Sequence, residues 1–296
     1  MKKILLLSLF IFLAGSAGAT RAAEELYTGP VADAHAHIGS KFNDVEPSDI
    51  IALYKKAGVN KAGIFVSIKK VAKLRKQFPE NFIFFTDPYQ DKRDDYRLSE
   101  RGLDKLSDML NSGLVSGVGE FYVSLSSAPF NRKGIELDLL DPKQDKFLSI
   151  LNSTGAVLHF HDERVAKSTE IIFQKYPRIK FILAHCGYLS AVRLRELFKQ
   201  NDNLFADLSL ISNNHFARFK SNPPIAINPS AEWKNLMIEF SSRLMVGSDI
   251  GATWKRMSRL PDVIEDYRKI LGTLPKEAAE AIAYKNFERL FTIKNK

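Results

Sequence analysis

The amino-acid sequence predicts an α/β fold, a single (β/α)8 barrel. Three observations predict it: eight short apolar runs alternate with amphipathic stretches, the chain has the length of one such barrel, and its histidines and several acids fall at the ends of those runs.

In chain order, residues 1–19 stand apart. Lys2 and Lys3 precede a largely apolar run from Ile4 to Ala14, and small residues follow, ending in Ala17-Gly18-Ala19. That layout is a secretory signal peptide cleaved near Ala19. The run is too short for a membrane anchor, which needs about 20 residues. In Leu13-Ala14-Gly15-Ser16 a serine stands where a lipidated cysteine is required, so no lipid anchor is expected. The expected location is the periplasm or the exterior. Residues 20–296, 277 of the 296, then make one barrel domain with no internal repeat, low-complexity segment or linker.

Cys186 is the only cysteine, so no intramolecular disulfide can form and stability must come from the core. With 45% hydrophobic residues and 21 phenylalanines the chain can bury a large one. The net charge of +9 falls to +7 without the two leader lysines. It is spread over helix faces such as Lys69, Lys70, Lys73, Arg75 and Lys76, with no long basic run, so no nucleic-acid partner is expected.

The expected strands are residues 31–38 (VADAHAHI), 61–68 (KAGIFVSI), 81–87 (NFIFFTD), 115–123 (VSGVGEFYV), 156–161 (AVLHFH), 180–187 (KFILAHCG), 203–210 (NLFADLSL) and 243–249 (RLMVGSD). Between them lie helix signals. In PSDIIALYKKAG, Ser48 can cap the start and Gly58 the end. From Ser168 to Lys175, Ile171 and Ile172 join the preceding Val165 in an apolar stripe before Pro177 closes the turn. The longest connections follow Tyr122 and Leu210, at strand ends where barrels place substrate loops.

All six histidines sit in or just after strand ends: His35 and His37 on the first strand, His159 and His161 on the fifth, His185 on the sixth, and His215 after the seventh. Residues two apart in a strand share a face, so each pair can aim into the barrel mouth. A lone histidine is best read as a core imidazole bonded to backbone. Five on three strand ends are not, because each would need its own buried partner, whereas one cation satisfies several together. Asp249 ends the eighth strand in Val-Gly-Ser-Asp, Glu120 lies in the fourth and Asp207 in the seventh. An acid ending an apolar strand must be paired or coordinated, and Asp207 can brace a histidine from behind.

The His-x-His of the first strand, the histidines of the fifth and sixth, and Gly-Ser-Asp on the eighth resemble the amidohydrolase superfamily. Ile182–Gly187, Asn203–Ser209, Val246–Asp249 and Asn286–Phe291 narrow the resemblance to the amidohydrolase-related branch of small carboxylate hydrolases, lactonases and nonoxidative decarboxylases. The resemblance implies a metal site in which His35 and His37 are the first two ligands, His185 the sixth-strand histidine, and Asp249 both a ligand and the group that handles the proton. For the fifth strand both His159 and His161 fit. His161 is preferred because it lies nearer the C-terminal end and precedes the Asp162-Glu163 break, leaving His159 to a supporting role.

No lysine lies in VSGVGEFYV to bridge two metals, and Glu120 takes that place, as a glutamate does in some deoxyribonuclease-like relatives. Ligand count favours one ion over two, and imidazoles with a carboxylate suit zinc.

The implied activity is an exported, metal-dependent hydrolase that cleaves an amide, lactone or ester-type bond of a small molecule, with Asp249 as general base and Glu120 orienting the nucleophile or bridging. One alternative is nonoxidative decarboxylation, whose setting in cytoplasmic catabolism sits badly with export. Another is an inactive metal- or ligand-binding barrel, which would have no use for a positioned Asp249. Tyr122, Arg218, Trp254 and Lys255 are candidate substrate contacts, and Cys186 is expected to be a buried thiol facing the helix layer.

Overall fold

All eight apolar runs form parallel strands, and these lie side by side in sequence order: β1 (Val31–His37), β2 (Val59–Val66), β3 (Phe82–Thr86), β4 (Gly117–Leu125), β5 (Val157–Asp162), β6 (Lys180–Leu183), β7 (Leu204–Asp207) and β8 (Leu244–Met245). The computed structural model describes residues 26–38, 46–78, 80–86, 99–126, 134–210, 228–251 and 257–291. The expected leader, His215, Arg218, Trp254 and Lys255 lie outside these. Among the described residues no helix is long and apolar enough to cross a membrane.

The sheet closes on itself. Ala34 N donates to Val246 O at 2.8 Å, Asp249 N to His35 O at 2.7 Å and His37 N to Ile250 O at 2.8 Å, so the segment after β8 runs along β1. A two-residue strand, Ile135–Glu136, pairs antiparallel with the end of β4. The sequence gives no sign of it because two residues carry no period.

Each strand is followed by a helix: α1 (Pro47–Ala57), α2 (Val71–Gln77), α3 (Glu100–Asn111), α4 (Asp145–Thr154), α5 (Lys167–Lys175), α6 (Ala191–Gln200), α7 (Ala231–Glu239) and α8 (Leu260–Gly272). Their sequences explain the ends and the buried faces. Ser99, Ser190 and Ser230 cap α3, α6 and α7, each accepting from the backbone N–H three residues on. Apolar residues three and four apart then face the sheet: Leu103, Leu106 and Met109 in α3, Leu194, Leu197 and Phe198 in α6.

Two helix expectations need correction. Ser48 is not the cap of α1; the helix starts one residue earlier at Pro47, whose fixed φ suits a first helical position, and Glu46 precedes it without a side-chain cap. Gly58 does end it, in the left-handed conformation at φ 68°. In α5, Ile172 is buried but Ile171 is 43% exposed, because adjacent helical residues point about 100° apart.

Strand alternation divides the core. Phe121 and Phe160 point outward, stacking on Phe147 of α4 at 5.2 Å and meeting Phe173 of α5 at 6.0 Å. Their neighbours, Glu120 with Tyr122 and His159 with His161, therefore point inward. The barrel floor is apolar, built from Ala32, Ala34, Phe65, Phe85, Val157, Ile182 and Phe205. From below it is plugged by Phe287, Leu290 and Phe291 of the last helix, α10 (Asn286–Phe291), which follows the short α9 (Lys276–Glu280). Polar groups fill only the upper layer, at the strand C-terminal ends.

Candidate metal centre

His35 and His37 extend from β1 with their Nε2 atoms 3.3 Å apart. Asp249 Oδ1 lies 3.3 Å from the first and 3.2 Å from the second, and Glu120 Oε2 lies 3.8 and 3.6 Å from them. The other oxygen of the same glutamate faces a second set: Glu120 Oε1 is 2.9 Å from His161 Nδ1 and 3.4 Å from His185 Nε2. Within each set all donor atoms lie inside 4.8 Å of one another. The structure thus brings together His35, His37, Glu120, His161, His185 and Asp249, two donor groups sharing one carboxylate.

His159 is one layer deeper. Its Nε2 is 2.6 Å from Asp207 Oδ2, its ring packs against Phe65 at 4.8 Å, and its buried Nδ1 has no hydrogen-bond partner among the described residues. Burial pushes its pKa down to about 4 against the pull of Asp207, so the imidazole is neutral and donates from Nε2.

Asp207 organises the donors from behind. Its Oδ2 also accepts from His35 Nδ1 at 3.1 Å, so Nε2 is the nitrogen whose lone pair would face a cation at the centre. Its Oδ1 accepts from Ser209 Oγ, and from Ser209 N at 2.9 Å. With that hydroxyl hydrogen committed to Asp207, Ser209 Oγ accepts from His185 Nδ1 at 2.7 Å, and His185 Nε2 likewise carries a lone pair inward. A third possible grouping, His35 with His185 and Asp207, is close enough on distance. Asp207 is already saturated by these donors, so it is a brace.

The electrostatics fit a cation. Burial opposes charge on every acid here, yet His161 and His185 hold Glu120 well below the usual carboxylate range, His35 and His37 do the same for Asp249, and His35 and His159 for Asp207. Burial alone would push His161 down, but Glu120 and Glu163 raise it to about 9. Such a nest of buried anions and lone pairs demands positive charge, supplied by protons on the imidazoles or by a metal that replaces them. Imidazole nitrogens with carboxylate oxygens suit a divalent ion such as zinc, so the residues present fit the group.

Other participants stand close to residues that the sequence singles out. Asp33 lies two residues before His35, but β1 is irregular between Asp33 and Ala36 and Asp33 faces away from the interior Ala32 and Ala34; its Oδ1 and Oδ2 accept from Ser248 N at 2.8 Å and Ser248 Oγ at 2.6 Å. Ser209 stands two residues after Asp207. Glu163 and Tyr188 lie beyond their strands, where alternation no longer applies; Tyr188 stacks on His185 at 5.2 Å. Tyr122, expected at the substrate, donates its hydroxyl to Glu120 Oε2 at 3.1 Å. Cys186 is fully buried, with its thiol 3.3 Å from Asp207 O.

A family profile described as amidohydrolase matches residues 32–293. No sequence among curated proteins matches the chain. Solved structures do. An uncharacterised TIM-barrel protein from Bordetella bronchiseptica superposes with a TM-score of 0.61 at 12% identity, over 88% of this chain and 98% of that one. A probable 2-pyrone-4,6-dicarboxylic acid hydrolase from Acinetobacter baumannii, with citric acid bound, gives 0.58 at 14% identity, over 89% and 99%. An amidohydrolase from Burkholderia multivorans with bound zinc gives 0.54 at 13%, also over 89% and 99%. At such identities the likeness is one of fold.

Proposed function

Because the chain belongs to the amidohydrolase family, we propose that it is an exported metal-dependent hydrolase acting on an amide, lactone or ester-type bond of a small molecule. The observation that carries this reading is the pair of donor groups joined by Glu120 at the barrel mouth. His35, His37 and Asp249 would hold one zinc ion, His161 and His185 a second, with one oxygen of Glu120 on each. This departs from the single ion favoured by ligand count in the sequence, because only the fold reveals that Glu120 turns both oxygens to histidines.

A divalent cation in such a donor set supplies Lewis acidity, polarising a carbonyl and acidifying water. The chain's own groups do the rest. Asp249 is ionised and its side chain is 16% exposed, so it can reach both the nucleophile's proton and the leaving group. Asp207, Ser209 and His159 hold the imidazoles in the ligating tautomer, and the apolar floor keeps water out from below. Export is supported by the basic, apolar and small-residue order of residues 1–19.

Elemental analysis of purified protein, then hydrolysis assays on lactones, amides and esters with carbon dioxide release followed in parallel, tests the reading. Glu120→Ala should lower zinc from two equivalents toward one. Carbon dioxide release without hydrolysis would replace the hydrolase by a decarboxylase. Full-length chain recovered from the cytoplasm, in place of a periplasmic protein beginning near Thr20, would remove export.

A further inference from the structure

We propose that Glu163 is a positioning residue that selects the tautomer of His161 and thereby sets the affinity of the second donor group for its ion; this rests on the two-group reading above. The ring of His161 is already held in place by its neighbours, with Tyr122 at 5.5 Å, His185 at 5.0 Å and Tyr188 at 5.9 Å between centroids. What packing cannot fix is which ring nitrogen carries the proton of the neutral imidazole. Left alone, His161 would place it on Nδ1 and donate to Glu120 Oε1 at 2.9 Å. That tautomer removes both the histidine's donor atom and one arm of the shared carboxylate from ligation.

Glu163 prevents it. Its Oε1 lies 3.3 Å from His161 Nε2, and an ionised carboxylate can only accept, so when a cation on the Glu120 side displaces the Nδ1 proton, Nε2 keeps its hydrogen and Nδ1 is the nitrogen left with a lone pair. The acid is itself anchored at its side chain and at its backbone. Oε2 accepts from Ser126 N at 3.0 Å, and the backbone N–H of Glu163 donates to Ser124 Oγ at 2.9 Å. That hydroxyl in turn donates to the buried Asp162 at 2.7 Å. The lacing joins the ends of β4 and β5, the two strands that carry Glu120 and His161, in the register Tyr122 with His161 and Ser124 with Asp162. The separation of those two ligands and the tautomer of one are thus set by a single cluster.

The test is zinc binding to the mature protein by chelator competition, for wild type, Glu163→Gln and Glu163→Ala, with melts of the chelated proteins as a control on folding. Glu163→Ala should bind one of its two ions about 10- to 100-fold more weakly and leave the other unchanged. Glu163→Gln, whose amide oxygen still accepts from Nε2 but as a weaker, neutral partner, should fall between alanine and wild type. A purely structural role would lower both ions together and give no partial rescue by glutamine. Two ions of undiminished affinity in Glu163→Ala, or equal weakening of both, overturns the role of Glu163 while the two-group reading stands. Should the alanine variant not fold, the glutamine variant decides, and unchanged affinity there is the overturning result. Wild-type protein that saturates at one equivalent overturns the two-group reading and this inference with it.

Discussion

At the scale of single residues, the centre separates groups that touch the reaction from groups that hold others in place. On the proposed reading Asp249 belongs to the first kind. Asp249→Asn keeps an oxygen for the metal but cannot accept a proton, so turnover should fall by about 10²- to 10⁴-fold with zinc content near wild type, as measured by kinetics beside elemental analysis. His161 and His159 should differ in the same experiment. His161→Ala removes a donor of the second group and should lose that ion, whereas His159→Ala removes only a support of Asp207 and should retain zinc at about 10- to 100-fold lower activity or affinity. A full complement of zinc in His161→Ala would return the fifth-strand ligand to His159. The same imidazole gives a pH dependence. In chelated protein its folded pKa of about 9 exceeds the unfolded value of about 6.5, so its stabilising pairing with Glu120 and Glu163 is complete below pH 6.5 and fades as pH rises through 9. Urea midpoints of chelated protein should therefore drop between pH 6.5 and 9. Zinc-loaded protein, with no proton on Nδ1 to lose, should lack this contribution to the drop.

At the scale of elements, the legible part of the site is the part that lies in true strands. His35 with His37, Glu120 with Tyr122 and His159 with His161 obey the two-residue period, so their shared face could be read from the sequence. Past the strand ends that rule fails. β6, β7 and β8 were expected to reach residues 187, 210 and 249 but stop at Leu183, Asp207 and Met245, because the chain must turn across the mouth to present its donors. His185 and Asp249 arrive there at positive φ, 55° and 47°, a conformation that no residue pattern announces for non-glycine residues. Glu163 and Tyr188 also stand past their strand ends, Tyr188 again at positive φ, so the two-residue period does not mark them. The closure of β8 onto β1 is also an element-scale device, since Asp33 reaches across to the backbone and hydroxyl of Ser248. Ser248→Ala should destabilise by about 1 to 3 kcal/mol in denaturant titration, leaving the buried Asp33 short of a donor. Gly251→Ala should do worse. Gly251 sits at φ 142°, and an added Cβ would come within 2.0 Å of His37 O, so the seam and a ligand must shift together. A wild-type denaturation midpoint and wild-type zinc affinity in Gly251→Ala would show that the seam does not position His37.

At the scale of the whole molecule, the donors come from β1, β4, β5 and from the segments just after β6 and β8, so an ion pair bound there ties five of the eight barrel units at one end. The opposite end is held by the Phe287, Leu290 and Phe291 plug, whose packing is independent of metal. Chelation should therefore loosen the mouth and leave the barrel folded. The size of the effect follows from mass action, because a ligand that binds only the native state stabilises it by about 4 kcal/mol at a thousand times its dissociation constant. For a chain of this length each kcal/mol moves the melting temperature by about 2 to 4 °C, so removal of one tightly held ion should lower it by roughly 10 °C. Calorimetry of the purified protein, before and after exhaustive chelation, measures this directly. Added zinc should restore the original transition, and in Glu120→Ala, which removes the shared carboxylate, the restored shift should be smaller. A melting temperature indifferent to chelator and to zinc would mean that the mouth is held by its protonated imidazoles alone, and that the donor geometry serves no ion.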